Sequence, residues 1–61
     1  MNFKIRDKVC ITKDIDTFKN QTGIITGIIF NKDVNNICVT FNLSTKRQDV
    51  LYSEKDLKRV I

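Results

Sequence analysis

"NQTGIITGIIF", residues 20–30, is the most apolar segment of this 61-residue chain. Isoleucine and threonine favour a strand, yet glycine interrupts the segment twice. Gly23 ends a polar loop, where a positive φ angle or a close backbone approach is expected. Gly27 lies inside the strand, where an isolated glycine marks a bulge or a sharp bend. We therefore expect a bent strand that turns Ile25 and Ile28 inward; a flat strand that tolerates Gly27 is the alternative.

The segments on either side alternate between apolar and polar residues, as half-buried strands do. The pattern predicts strands in "KVCIT" (8–12), "ICVTF" (37–41), "DVLY" (49–52) and "KRVI" (58–61). Turn-forming residues dominate the connections at 31–36 and 42–47. The expected core consists of the inward-facing apolar residues of these strands: Val9, Ile11, Ile25, Ile28, Ile37, Val39, Phe41, Leu51, Leu57 and Val60.

Two shorter segments complete the predicted architecture. In the long polar loop 12–22, Ile15 and Phe18 are expected to tuck against the sheet. Ser53 and Asp56 have the spacing of a capping box, and too few residues follow for more than one 3₁₀ turn. The sequence thus predicts a single all-β domain over residues 1–61. Its order of elements is that of a five-stranded SH3-like barrel with one 3₁₀ turn before the last strand.

Composition argues against several classes of activity. The net charge is +4, there is no histidine, and Cys10 and Cys38 are the only cysteines. A Ser-His-Asp or Cys-His centre cannot be built without histidine, and two cysteines are too few for a structural zinc site. Neither glycine precedes the helix and lysine of a phosphate-binding loop. We expect a non-enzymatic protein with no catalytic residues, no metal and no cofactor.

The start of the chain and its apolar runs bear on location. "NFKIRDK" is too charged for the apolar core of a secretion signal, and no apolar run approaches the length of a membrane span. We expect no transmembrane segment, reduced thiols and a cytosol-like compartment.

Several segments together carry a resemblance to a known family. "RDKVCITKD", "NQTGIITGI", "ICVTFN" and "LYSEKDLKRV" resemble the PetP subunits of cytochrome b6f in cyanobacteria and red-algal plastids. The photosystem I subunit PsaE is similar in outline. The resemblance implies an SH3-like barrel that serves as an accessory docking subunit of a photosynthetic electron-transfer complex. It also implies a place in the cytoplasm or the plastid stroma, peripheral to the membrane.

Two other interpretations of the function remain. "DKVCITKD" followed by "GIITGI" also resembles a KOW-type element, which implies an RNA- or DNA-binding module. A bacterial or phage protein-interaction module is the third reading.

The candidate partner-binding residues are Phe18, Phe30, Lys46, Arg47 and Tyr52. Aromatic side chains could anchor a protein partner or stack on nucleic-acid bases, and the basic pair could steer an acidic partner. The structural alternative for each aromatic ring is packing in the core.

Overall fold

A computed structural model describes residues 3–31, 34–42 and 46–60. The elements are β1 (Lys8–Ile11), β2 (Thr22–Ile28), β3 (Ile37–Asn42), β4 (Arg47–Tyr52), a 3₁₀ turn (Glu54–Asp56) and β5 (Leu57–Arg59). They form one antiparallel sheet in the order β4-β3-β2-β1-β5. The all-β class, the five strands and the 3₁₀ turn before the last strand are confirmed. In the described part of the chain β4 and β5 are opposite edges that do not pair, so the sheet is not closed into a barrel.

The expected ends of the elements need small corrections. β4 begins at Arg47, two residues before the predicted start, and β5 is Leu57–Arg59 rather than 58–61. Residues 32–33 and 43–45 of the predicted connections, and Ile61, lie outside the described residues. Ser53 precedes the 3₁₀ turn, but its side chain makes no capping hydrogen bond, so the predicted capping box is wrong.

The predicted irregularity in β2 is confirmed at Gly27. Ile25 pairs with Val39, whereas Gly27 pairs with Cys38, so β2 advances two residues while β3 advances one. That two-against-one register is a β-bulge, which bends the strand and increases its twist. On one side of the bulge β2 pairs with both β1 and β3, and beyond it β2 pairs with β3.

The need for glycine at position 23 comes from the close approach of β3 to its backbone and not from a positive φ angle, because neither Gly23 nor Gly27 has a positive φ. A Cβ atom added at Gly23 would lie 2.6 Å from Val39 Cγ1, 3.0 Å from Phe41 Cε1 and 3.0 Å from the Thr40 carbonyl oxygen. The sheet is therefore packed against this position too tightly for any side chain.

The core follows the alternation of the strands. Its members are the buried residues Val9, Ile11, Phe18, Ile25, Ile37, Val39, Phe41, Tyr52 and Leu57. Ile28, Val50 and Phe3 are partly buried against them. Seven of the ten expected core residues are thus buried, and Ile28 is at the margin.

Leu51 and Val60 were expected in the core, and both predictions are wrong. Leu51 is 40% exposed because it opposes Cys38, on the outer face of the sheet, whereas Tyr52 opposes the buried Ile37. Val60 is 38% exposed. It follows the end of β5, where its N–H donates to the Lys8 carbonyl oxygen at 2.8 Å.

Candidate docking surface

Two of the predicted partner-binding rings are core residues. Phe18 is 9% exposed and stacks on Phe41, with the ring centroids 4.2 Å apart and the planes 7° from parallel. Tyr52 is 2% exposed and meets Phe41 edge-on, at 6.4 Å and 80°. Such pairs add about 0.5–1.5 kcal/mol to the free energy of burial. Phe18 and Tyr52, offered as partner-binding candidates, thus follow the structural alternative of packing in the core.

The β1–β2 loop delivers Phe18 to the core through local hydrogen bonds. The Phe18 N–H donates to Asp16 Oδ1 at 3.1 Å, a side-chain turn typical of aspartate. The Asn20 N–H donates to the Ile11 carbonyl oxygen at 2.9 Å, and Asn20 has a φ of 67°, which asparagine tolerates better than most residues. The tuck predicted for Phe18 is confirmed, but Ile15 is 93% exposed, so its predicted tuck is wrong.

The Tyr52 hydroxyl is buried without a hydrogen-bond partner among the described residues. Burial raises the pKa of Tyr52 above its usual value, and the nearby Asp16 carboxylate raises this pKa further. The hydroxyl thus faces Asp16 without reaching hydrogen-bond geometry.

Three exposed apolar side chains lie on the connection between β2 and β3, and we term this end of the sheet the apolar end. Ile29, Phe30 and Val34 belong to the β2–β3 connection, and Phe30 is 85% exposed. Of the three predicted aromatic anchors, Phe30 is the one placed on the surface.

Lys46 and Arg47 lie at the opposite end of β3 from Phe30. Arg47 opposes Asn42, the last residue of β3, whereas Phe30 precedes the first. At ~3.3 Å per residue, the five steps of β3 separate the two sites by about 17 Å. The structure therefore does not bring Phe30 together with the predicted basic residues.

Arg47 is part of a polar network on the outer face of the sheet. Its Nε donates to Asp49 Oδ1 at 3.0 Å, and the Thr40 hydroxyl donates to the same oxygen at 2.7 Å. Thr26 Oγ1 lies 2.8 Å from Thr40 Oγ1. The hydrogen bond from Thr40, followed by that from Arg47, holds the pKa of Asp49 below its usual value. Arg47 therefore has a structural partner within its own strand.

A second group of basic residues was not singled out from the sequence. Lys4, Arg6 and Lys8 recur at every second position near the start of the chain, and this spacing is the signal that could have revealed them. The pairing of β1 with β5 adds Lys58, which opposes Cys10. We term these four exposed residues the basic edge.

The cysteines do not form a pair. Cys10 is on β1 and Cys38 on β3, with β2 between them, and both are free thiols. In residues 3–31, 34–42 and 46–60, no three potential ligands are grouped to hold a metal ion. No helical segment in these ranges has the length and apolar character needed to cross a membrane.

Comparison with known proteins gives no assignment. No family model matches the chain, and neither does any curated protein or solved structure.

Proposed function

We propose that this protein is a non-enzymatic docking domain that attaches to a larger protein complex through its apolar end. The observation behind the proposal is the exposure of Phe30 beside Ile29 and Val34 on a connection between two paired strands. A phenyl ring exposed to 85% of its surface gains free energy when a partner removes it from water. Large exposed aromatic residues of this kind are frequent anchors of protein interfaces.

The size of the domain supports an interaction role. A chain of about 60 residues buries only ~60% of the surface that it exposes when unfolded, so its own core gives limited stability. A partner that binds the folded state adds to that stability by mass action. Docking at the apolar end would therefore both cover exposed apolar surface and stabilise the domain.

The finer assignment is an SH3-like barrel that resembles PetP, an accessory subunit of cytochrome b6f. Its support is the strand order, the bulge at Gly27 and the 3₁₀ turn before β5, together with the sequence resemblance. In this proposal the protein lies in the cytoplasm or the plastid stroma and contacts the membrane complex peripherally.

Binding to purified cytochrome b6f complex tests this proposal. We expect Phe30→Ser to weaken binding about 30-fold, the effect of losing a hot-spot aromatic worth ~2 kcal/mol. Leu51→Ser is the matched control, because Leu51 is also a partly exposed apolar residue but lies on the outer face of β4. A complex that does not bind the domain contradicts the PetP-like assignment. Binding that survives Phe30→Ser contradicts the choice of surface.

The nucleic-acid alternative has less support. It requires exposed aromatic rings for base stacking, and Phe18 and Tyr52 are buried. Titration with single-stranded RNA and duplex DNA at several salt concentrations distinguishes the two proposals. Nucleic-acid binding weakens log-linearly and steeply with salt, whereas apolar docking does not.

A further inference from the structure

The basic edge brings four exposed cations together on one part of the molecule. Lys4, Arg6, Lys8 and Lys58 form no ion pair with a described residue, and neither do the scattered Lys13, Lys46 and Lys55, whereas Arg59 is paired with Asp7 at 3.1 Å. The number of cations at the basic edge equals the net charge of the whole chain, +4. The charges of the remaining residues sum to zero, so the basic edge carries a local excess of positive charge.

The first part of the basic edge is a rigid turn. The Asp7 N–H donates to the Lys4 carbonyl oxygen at 3.1 Å, and the Lys4 N–H donates to Asp7 Oδ2 at 2.9 Å. The Arg6 N–H donates to the Ile25 carbonyl oxygen at 2.7 Å, and the Ile25 N–H returns a bond to the Asp7 carbonyl oxygen at 2.9 Å. The tip of the turn, Ile5 and Arg6, is thus fixed on the sheet.

Arg6 occupies a strained position at that tip. Its φ of 83° falls in the region that favours glycine, at the third residue of a turn where glycine or asparagine is usual. A bulky residue there costs free energy that glycine would not. The fold alone therefore gives no reason for arginine, whereas a role for its exposed charge does.

Exposed aliphatic residues lie among these cations. Ile5 is 54% exposed between Lys4 and Arg6, and Val60 is exposed beside Lys8, whose carbonyl oxygen accepts its N–H bond. A nucleic-acid backbone offers phosphate charge and no apolar contact for these side chains. The boundary between headgroups and acyl chains of a membrane offers both anionic charge and apolar surface.

We propose that the basic edge binds the surface of an anionic lipid bilayer, with Ile5 entering the interface and Lys4, Arg6, Lys8 and Lys58 contacting lipid headgroups. This role is separate from docking at the apolar end and requires no transmembrane segment. Single basic residues near an anionic bilayer contribute ~1 kcal/mol each, or about fivefold in partitioning. The four together give selective, salt-sensitive attachment.

Co-sedimentation of the untagged protein with lipid vesicles tests the proposal. Vesicles of phosphatidylcholine containing about 30 mol% phosphatidylglycerol should bind it at ~0.1 M salt, and pure phosphatidylcholine vesicles should not. We expect Ile5→Ser to weaken binding about tenfold without any change of charge.

Arg6→Gly separates lipid binding from folding. This substitution should raise the urea midpoint of unfolding, because glycine relieves the backbone strain. The same variant should bind the anionic vesicles about fivefold more weakly. Lys46→Gln, which removes an equal charge at the start of β4, is the control and should change binding by about twofold at most.

Three results would overturn the inference. The first is equal binding, or no binding, to the two kinds of vesicle. The second is binding of Ile5→Ser to anionic vesicles as tightly as the parent protein, which would show that Ile5 makes no apolar contact with the bilayer. The third is tighter binding to single-stranded RNA or duplex DNA that Ile5→Ser leaves unchanged, which would assign the basic edge to nucleic acid.

Discussion

The two halves of β2 differ in how closely the sheet surrounds them. At Gly23 an added Cβ would lie 2.6 Å from Val39 Cγ1, whereas at Gly27 the nearest atom, Cys38 Cβ, would be 3.7 Å away, an ordinary contact. The first half lies over the stacked rings of the core, and the second leads to the exposed Ile29 and Phe30. The same residue type thus serves dense packing in one half and a change of strand direction in the other.

The largest expected effect tests whether stability resides in the packed half. Phe18→Ala removes the ring stacked on Phe41, so it should lower the free energy of unfolding by about 3–5 kcal/mol. Phe30→Ala is the matched control at the open end, where an exposed ring should contribute less than about 0.5 kcal/mol. Urea unfolding followed by circular dichroism measures both. Similar decreases in the free energy of unfolding of the two variants would show that the two halves of β2 do not differ in their contribution to stability.

The two glycines themselves provide the next test. Gly23→Ala should destabilise the domain by about 2 kcal/mol, since its methyl group overlaps a side chain and approaches a backbone oxygen. Gly27→Ala should be neutral or stabilise by up to about 1 kcal/mol, because the position has room, lacks a positive φ angle and loses entropy in the unfolded chain. Thermal unfolding of the two variants in parallel gives the difference. A loss at Gly27 as large as that at Gly23 would refute the distinction.

A smaller effect is expected inside the core. Tyr52→Phe removes a buried hydroxyl that has no hydrogen-bond partner among the described residues, and it keeps the ring against Phe41. The variant should be about 1 kcal/mol more stable, because the cost of desolvating that group disappears. Chemical denaturation against the parent protein measures this change. A destabilised variant would show that the hydroxyl bonds to Asp16 in solution.

The smallest effect concerns pH. The pKa of Asp7 is lowered from its usual 3.8, first by the Lys4 N–H and then by Arg59. A depressed folded-state pKa stabilises the fold above the unfolded value, and this stabilisation is lost as the pH falls through the folded value. We expect the melting temperature to fall below about pH 4, and Asp7→Asn should flatten that part of the profile. If Asp7→Asn shows the same dependence of melting temperature on pH as the parent protein, Asp7 does not contribute to the loss of stability in acid.

Local sequence patterns predicted the features that depend on near neighbours. The bulge at Gly27 and the buried faces of β1 and β3 follow from spacing alone. The 3₁₀ turn forms where it was predicted, although the capping box that suggested it does not form. Leu51 and Tyr52 are both apolar enough for a core, so only the register of β4 against β3 decides between them. A single strand does not contain that information.

The surface was harder to predict than the fold, because it depends on contacts between distant parts of the chain. Phe30 was placed correctly on the surface, but Phe18 and Tyr52 complete an aromatic cluster with Phe41 that spans three segments. Lys58 likewise joins the basic edge only because β5 pairs with β1. Residues far apart in sequence then share one face.

The ion pair between Asp7 and Arg59 joins positions 52 residues apart in the chain. In the described sheet β5 pairs with β1 and with no other strand. During synthesis β1 therefore keeps one edge unpaired until Arg59, the last residue of β5, has left the ribosomal tunnel. The meander of β2, β3 and β4 consists of nearer neighbours and can form earlier. We therefore expect β5 to pair with β1 late in folding, and nascent chains stalled before Leu57 should remain sensitive to protease.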